Sequence, residues 1–277
     1  MGDTALFILG VPRSGTTLLR TILDSHPHLA VGPECPWIAG SYGEVVSFRV
    51  LFDSLVNDRH GPVRNFAGVS EADVSVALGE AISRILNSYA AAKGKKRWLE
   101  KTPNHITEIP LLTKLFPQSK YIHIIRDGRD VACSSFKERE NWGKDLSNRG
   151  ERVSNTLLNA LQRWCAWIRQ FEKWQEEYEL DTCQIRYEDL VRDPRAVLGK
   201  VLDFIEEPWS DEVLEYGEQK HDFPAWESGS RDVFQKRKIS DGGVGRWKNK
   251  FTDTERLIAA SFADYMLVRY GYERSLS

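Results

Sequence analysis

Within residues 10–17, Gly10-Val-Pro-Arg-Ser-Gly15-Thr-Thr places two glycines, one guanidinium and three hydroxyls in a single short stretch. Those groups suit one task, which is holding an anion. The stretch follows an apolar run at residues 5–9 and precedes a helical pattern in which Leu18, Leu19, Ile22 and Leu23 fall on one face. Where a strand gives way to a helix through a tight loop, backbone N–H groups and the positive helix end converge on an anion. A glycine-containing turn with a structural arginine is the alternative, and Ser14, Thr16 and Thr17, as further donors in the same turn, weigh against it.

The stretch has the GxxxxG spacing of a nucleoside-triphosphate loop, but Thr16 stands where that motif carries its lysine, so Arg13 is the nearby cation. A second candidate anion site follows the apolar run 121–125, which Arg126 closes. Ligands gather at the carboxyl ends of strands in open α/β sheets, and a guanidinium grips phosphate with paired hydrogen bonds. The competing reading of Arg126-Asp-Gly-Arg-Asp130 is a self-paired charged turn. Transfer to a hydroxyl also needs a base. Glu34, just beyond the first helix, is the candidate, with His105 as a weaker one.

The elements that must position these groups alternate. Strands are expected at residues 5–9, 121–125 and 182–187, with a shorter one at 97–100. Helices are expected at 71–92, 106–115, 155–178 and 194–205. The reading is an α/β fold, P-loop-like, with a mainly parallel central sheet flanked by helices on both faces, and residues 1–277 as one domain. In the helix at 155–178, Leu158, Leu161, Trp164, Cys165, Ile168 and Phe171 recur at helical spacing and read as core. Residues 40–69 show no clean period and read equally as a lid or as irregular surface.

Of the 277 residues, 41% are hydrophobic and 28% charged, and the net charge of -2 supplies no global positive field for nucleic acid or an anionic membrane. Cys35, Cys133, Cys165 and Cys183 form no metal-ligand pattern and read as reduced thiols. The N-terminus shows no basic leader, and the apolar runs fall short of the roughly 20 residues that span a bilayer, so a cytoplasmic location is expected.

Pro12-Arg-Ser-Gly-Thr-Thr-Leu18 resembles the 5'-phosphosulfate loop of sulfotransferases, and its continuation Leu-Arg-Thr-Ile-Leu-Asp-Ser-His-Pro is most similar to the tyrosylprotein and carbohydrate branches. The resemblance recurs at intervals to about Thr252. It implies a donor, 3'-phosphoadenosine 5'-phosphosulfate (PAPS), and a product, adenosine 3',5'-bisphosphate (PAP), with no metal. Arg13, Ser14, Gly15, Thr16, Thr17 and Leu18 would hold the 5'-phosphosulfate. Arg126 and Ser134 would bind the 3'-phosphate, and Tyr187 in Arg-Tyr-Glu-Asp-Leu would lie near the nucleotide. The stretch from Arg237 to Thr252 is similar to the loop that closes over the 3'-phosphate, with Arg237, Lys238 and Ser240 as alternatives for the contact. Glu34 matches the catalytic glutamate of the tyrosylprotein branch, although Pro33 stands where that branch has a second glutamate. Glu100-Lys-Thr-Pro-Asn-His105 resembles another active-site segment, in which Lys101 would stabilise charge on the sulfuryl group and leaving oxygen, together with Arg13 from the first loop.

The function expected is in-line sulfuryl transfer to a hydroxyl. A P-loop kinase-like phosphotransferase, a phosphate-binding module without turnover and a non-catalytic interaction protein compete with it. The missing loop lysine opposes the kinase, and Glu34 with Lys101 opposes the passive module. The acceptor, whether protein tyrosine, sugar, lipid or small alcohol, is open, because a donor site does not determine an acceptor pocket.

Overall fold

The computed structural model describes residues 4–40, 46–142, 157–223 and 239–276, with side chains of 136–142 excepted. Its central sheet has four strands, β1 (Leu6–Leu9), β4 (Glu100–Lys101), β5 (Lys120–Ile125) and β6 (Asp181–Arg186), in the order β4-β1-β5-β6. Every pairing is parallel, with Phe7 opposite Glu100 and Tyr121, and Ile125 opposite Arg186. Two short strands, β2 (Leu29–Ala30) and β3 (Arg97–Trp98), form a separate parallel pair.

Parallel strands need crossovers, and the crossover helices cover both faces. Side chains alternate along β1 and β5, so one face presents Phe7, Leu9 and Tyr121 and the other Leu6, Ile8, Ile122 and Ile124. The first set packs with residues of α5 (Glu71–Ala92), α6 (Ile109–Leu115) and α8 (Leu157–Glu177). The second packs with α1 (Thr16–Asp24) and α10 (Pro194–Phe204). A third cluster joins α7 (Gly128–Trp142), α8 and the terminal helix α12 (Asp253–Arg269). The aromatic stripe read as core in α8 is core: Trp164, Ile168 and Phe171 are fully buried.

Three expectations change in detail. The strand at 97–100 is two strands, because the chain leaves the β2–β3 pair at Leu99 and joins the central sheet as β4. The helix at 106–115 begins as a 3-10 turn, Pro103–Thr107, and restarts as α6 with Pro110 in its first turn, where a missing N–H is tolerated. Tyr187 does not end a strand but opens α9 (Tyr187–Arg192) directly after β6. The stretch 40–69, which lacked a period, follows α2 (Pro36–Ala39) and contains α3 (Phe48–Val56) and α4 (Pro62–Asn65). All four cysteines are free and buried.

Candidate active site

The loop after β1 is shaped by its own backbone. Ser14 N–H donates to the Val11 carbonyl at 3.0 Å, and Leu19 N–H to Gly15 at 3.0 Å. Arg13 (φ 75°) and Gly15 (φ 99°) both lie in the left-handed region, which is unusual for an arginine and accumulates at ligand-binding turns. A Cβ at Gly10 would stand 2.7 Å from the Ile124 carbonyl, so the loop runs directly over β5. The N–H groups of the first turn of α1 lack helical acceptors by construction. Thr16 and Ser14 are buried while Arg13 is exposed, and Ser14 Oγ has no protein partner. Thr17 is half-buried and its carbonyl accepts from the Thr21 hydroxyl; Leu18 packs in the core.

Arg126, at the end of β5, meets that loop. Its guanidinium donates to the Arg13 carbonyl at 3.0 Å and to the Gly243 carbonyl at 2.5 Å, and it lies 4.4 Å over the Tyr187 ring. Its Nε is buried without a protein partner. Arg13 Nε in turn donates to Ser134 Oγ at 3.1 Å. Arg13, Arg126, Ser134 and Tyr187 therefore stand together, although the sequence separates them by as many as 174 positions, from 13 to 187. A Cβ at Gly15 would stand 2.5 Å from the Tyr187 ring, and one at Gly243 would stand 2.6 Å from the Tyr187 hydroxyl. Tyr187 is thus wedged between the two glycine loops.

The charged turn after Arg126 is partly self-paired, but it is buried. Asp127 grips Arg129 at 3.0 and 2.8 Å and caps α7 by accepting from Arg129 N–H at 2.8 Å. Asp130 reaches across to residues 245–247, accepting from Gly245 N–H at 2.7 Å and Trp247 N–H at 3.0 Å. Burial, with the neighbouring Asp127 charge, pushes its carboxyl up from the ordinary range despite those bonds. Asp130, legible in the sequence only as the end of a charged turn, has its signal in its place four residues after Arg126 on the first turn of α7. Ser240 is exposed, and Arg237 and Lys238 lie outside the described residues.

Glu34 lies on a loop clamped at both ends. At Val31, Arg20 Nε donates to the carbonyl at 3.3 Å and Asp24 Oδ1 accepts from N–H at 3.0 Å, both side chains coming from α1. At Cys35, N–H donates to Thr102 Oγ1 at 2.8 Å. Between these points the Glu34 carboxylate takes a 2.6 Å bond from Lys101 Nζ on β4. The Lys101 side chain is 0% exposed and Glu34 is 13% exposed, so the carboxylate is the member of the pair that reaches solvent. His105 is fully buried, its Nδ1 2.8 Å from Glu100 Oε2 and its Nε2 without a protein partner. Burial, then the Glu100 and Glu34 charges, raises the Cys35 thiol well above its ordinary range, so it sits beside Glu34 as a neutral thiol.

Among the described residues, His26, His28 and Glu207 form one grouping with metal-ligand chemistry. Its atoms are already engaged. His26 Nδ1 accepts from His28 N–H at 3.1 Å and its Nε2 faces the Pro208 carbonyl at 2.9 Å, while Glu207 binds His28 and Arg97, both at 2.8 Å. Among the described residues no helix is long and apolar enough to cross a membrane.

The chain is 29% identical over 213 residues to Protein-tyrosine sulfotransferase A of Caenorhabditis elegans, covering 76% of this chain and 52% of the relative. It is 27% identical over 288 residues to the nodulation protein NoeE of Sinorhizobium fredii, covering 98% and 66%. The chain spans about half the length of the first of these relatives, and 40% of the Drosophila melanogaster protein-tyrosine sulfotransferase, to which it is 28% identical across 77% of this chain. The fold matches the sulfotransferase domain from the curacin biosynthetic pathway with TM-score 0.65, 21% identity and 98% of each chain covered. It also matches a mouse sulfotransferase, SULT7A1, solved in complex with PAP, with TM-score 0.52, 18% identity and coverage of 95% and 84%. The family model described as the sulfotransferase family matches residues 5–211, a span that runs from β1 past Glu34, Lys101, Arg126 and Tyr187, and the chain belongs to that family.

Proposed function

We propose that the chain, acting as one sulfotransferase domain, transfers a sulfuryl group from PAPS to a hydroxyl acceptor by in-line displacement, with Glu34 as the base and no metal. The observation that carries this reading is the convergence of Arg13, Arg126, Ser134 and Tyr187 at the ends of β1 and β5. It gives two cationic anchors for a nucleotide with phosphates at both ends. Ser14 Oγ and Arg126 Nε, buried without protein partners, fit such an anion.

In this reading the loop N–H groups and Ser14, Gly15, Thr16 and Thr17 hold the 5'-phosphosulfate, with Leu18 contributing through its backbone. Arg126 and Ser134 hold the 3'-phosphate under the glycines of residues 242–245, and Arg237, Lys238 and Ser240 are candidates for the same group. Glu34 accepts the acceptor proton as the S–O bond forms, and Lys101 and Arg13 offset charge on the sulfuryl and leaving oxygens. A γ-phosphoryl carries more charge than a sulfuryl group, which is why a kinase adds Mg²⁺ and a loop lysine. Here Thr16 replaces that lysine.

The acceptor is a hydroxyl of open class; a tyrosine hydroxyl is one candidate, because relatives named as protein-tyrosine sulfotransferases match this chain. Incubation with labelled PAPS and a panel of tyrosine peptides, sugars, lipids and small alcohols, with and without EDTA, tests the reading. Transfer that survives EDTA is expected. Mg²⁺-dependent phosphorylation from ATP without sulfate transfer would overturn it.

A further inference from the structure

The side chains that hold Glu34 do not all come from the residues that would touch substrate. Glu100 and Lys101 are neighbours on β4, both buried, and between them they hold two adjacent residues, Glu34 and Cys35. Lys101 bonds the Glu34 side chain at 2.6 Å. Glu100 acts on the backbone behind it: Thr102 Oγ1 accepts Cys35 N–H at 2.8 Å and donates its own proton to Glu100 Oε1, which also receives Cys35 N–H at 3.4 Å. Glu100 Oε2 is occupied by His105 Nδ1 at 2.8 Å. The buried carboxylate thus collects three donors from two segments, and one of them is the N–H of the peptide group joining Glu34 to Cys35.

A carboxylate without exposure is costly to bury unless hydrogen bonds compensate it, and once compensated in this way it fixes its donors in place. A hydroxyl that donates to a carboxylate is also polarised as an acceptor, which tightens its hold on Cys35 N–H. We infer that Glu100, relayed through Thr102, is a positioning group that sets where the Glu34 carboxylate stands, with His105 serving to hold Glu100. The inference rests on Glu34 being the base. It assigns to the Glu100-Lys-Thr-Pro-Asn-His105 segment a second role beyond Lys101, and it gives the bond between buried His105 and Glu100 a purpose.

The test uses Thr102→Val, which keeps the side-chain shape and removes the relay, with Thr102→Ser as the conservative rescue. Glu34→Gln and the double variant Glu34→Gln/Thr102→Val complete a cycle. Turnover is measured with labelled PAPS and the best acceptor found, and PAP binding by calorimetry. Misplacing a reacting group by a fraction of an ångström should lower kcat between about 10- and 100-fold. PAP affinity should stay at its normal value, Thr102→Ser should recover turnover, and Thr102→Val should have no further effect in the Glu34→Gln background. Normal turnover in Thr102→Val beside an impaired Glu34→Gln would overturn the inference and leave the base assignment standing. Loss of PAP affinity in parallel with turnover, or multiplication of the two defects, would overturn it in favour of general packing. Full turnover in Glu34→Gln would remove the base assignment and the inference with it. If Thr102→Val does not fold, Glu100→Gln enters the same cycle with the same outcomes.

Discussion

The loop after β1 and the arginine after β5 occupy corresponding positions at the carboxyl ends of adjacent strands, yet they are held in opposite ways. The first is held from within, by Ser14 N–H on Val11, Leu19 N–H on Gly15 and two left-handed residues. The second is held from outside, by the carbonyls of Arg13 and Gly243, the Tyr187 ring, and Trp164 Nε1 on the Arg126 carbonyl at 3.0 Å. A contiguous anchor owes its shape to local backbone conformation. An assembled anchor owes its shape to the packing of α8, α9 and the C-terminal loop, so a change in any of these should reach it.

Glu34 offers the largest test, because it belongs to neither anchor. Glu34→Gln should lower turnover by about 10²–10⁴-fold with PAP affinity unchanged, measured by transfer assays and calorimetry on the same sample. Weakened PAP binding in that variant would mean that chemistry and anchoring are not separable here.

Arg126→Ala should weaken PAP binding by about 1.5–3 kcal/mol, the range for a lost charge-assisted bond, while thermal unfolding reports whether the neighbouring loops stay in place. Arg126→Lys should recover little, since a point charge reproduces neither the two carbonyl bonds nor the stacking on Tyr187. Unchanged PAP affinity in Arg126→Ala would remove the second anchor from the comparison.

Gly15→Ala sharpens the contrast from the other side. Its left-handed backbone and the 2.5 Å approach to Tyr187 oppose any side chain, and backbone strain of this kind costs about 1–3 kcal/mol, readable by chemical denaturation. Gly243→Ala should act through packing alone, because that glycine carries no positive φ. A Cβ there meets the Tyr187 hydroxyl, so Tyr187→Phe should restore part of the PAP affinity lost in Gly243→Ala but rescue nothing in Gly15→Ala, whose clash is with the ring. Equal rescue of both would break the distinction.

The smallest expected effect is at Asp24, which fastens α1 to the Glu34 loop. Burial raises its carboxyl, but the His221 hydrogen bond, the Lys95 charge and Val31 N–H outweigh burial and hold it below its ordinary value of 3.8. A depressed carboxylate contributes stability that is fully present above its unfolded value and lost as pH falls through the folded one. Asp24→Asn should therefore be less stable than the parent at neutral pH, with the gap closing below about pH 4. A gap that does not narrow at all as pH falls below the ordinary aspartate range would show that Asp24 acts by shape rather than by charge.

The loop after β1, proposed as the first anchor, was legible in the sequence because its donors, its glycines and the strand and helix around it are contiguous. Arg126 could be placed at a strand end, but its alternative as a charged turn could not be dismissed. The structure shows both features, with Arg129 paired to Asp127 and Arg126 directed to the loop. Tyr187 was picked out by resemblance, and its wedge between Gly15 and Gly243 was not visible in any local pattern. Helix and strand positions followed from periodicity, with errors at Leu99, Pro110 and Tyr187, where the chain changes partner or element.

The sequence alone determined the parallel α/β architecture and the strand–loop–helix turn proposed to hold the anion, since both follow from periods and spacings within a few tens of residues. Only the tertiary structure decided that Arg13 meets Ser134, that Asp130 holds the loop at 245–247, and that Glu100 reaches the backbone beside Glu34. Those contacts join segments whose spacing in sequence carries no signal. They depend on where crossover helices set one strand end beside another, and hydrogen bonds of that kind form between groups that share no local pattern.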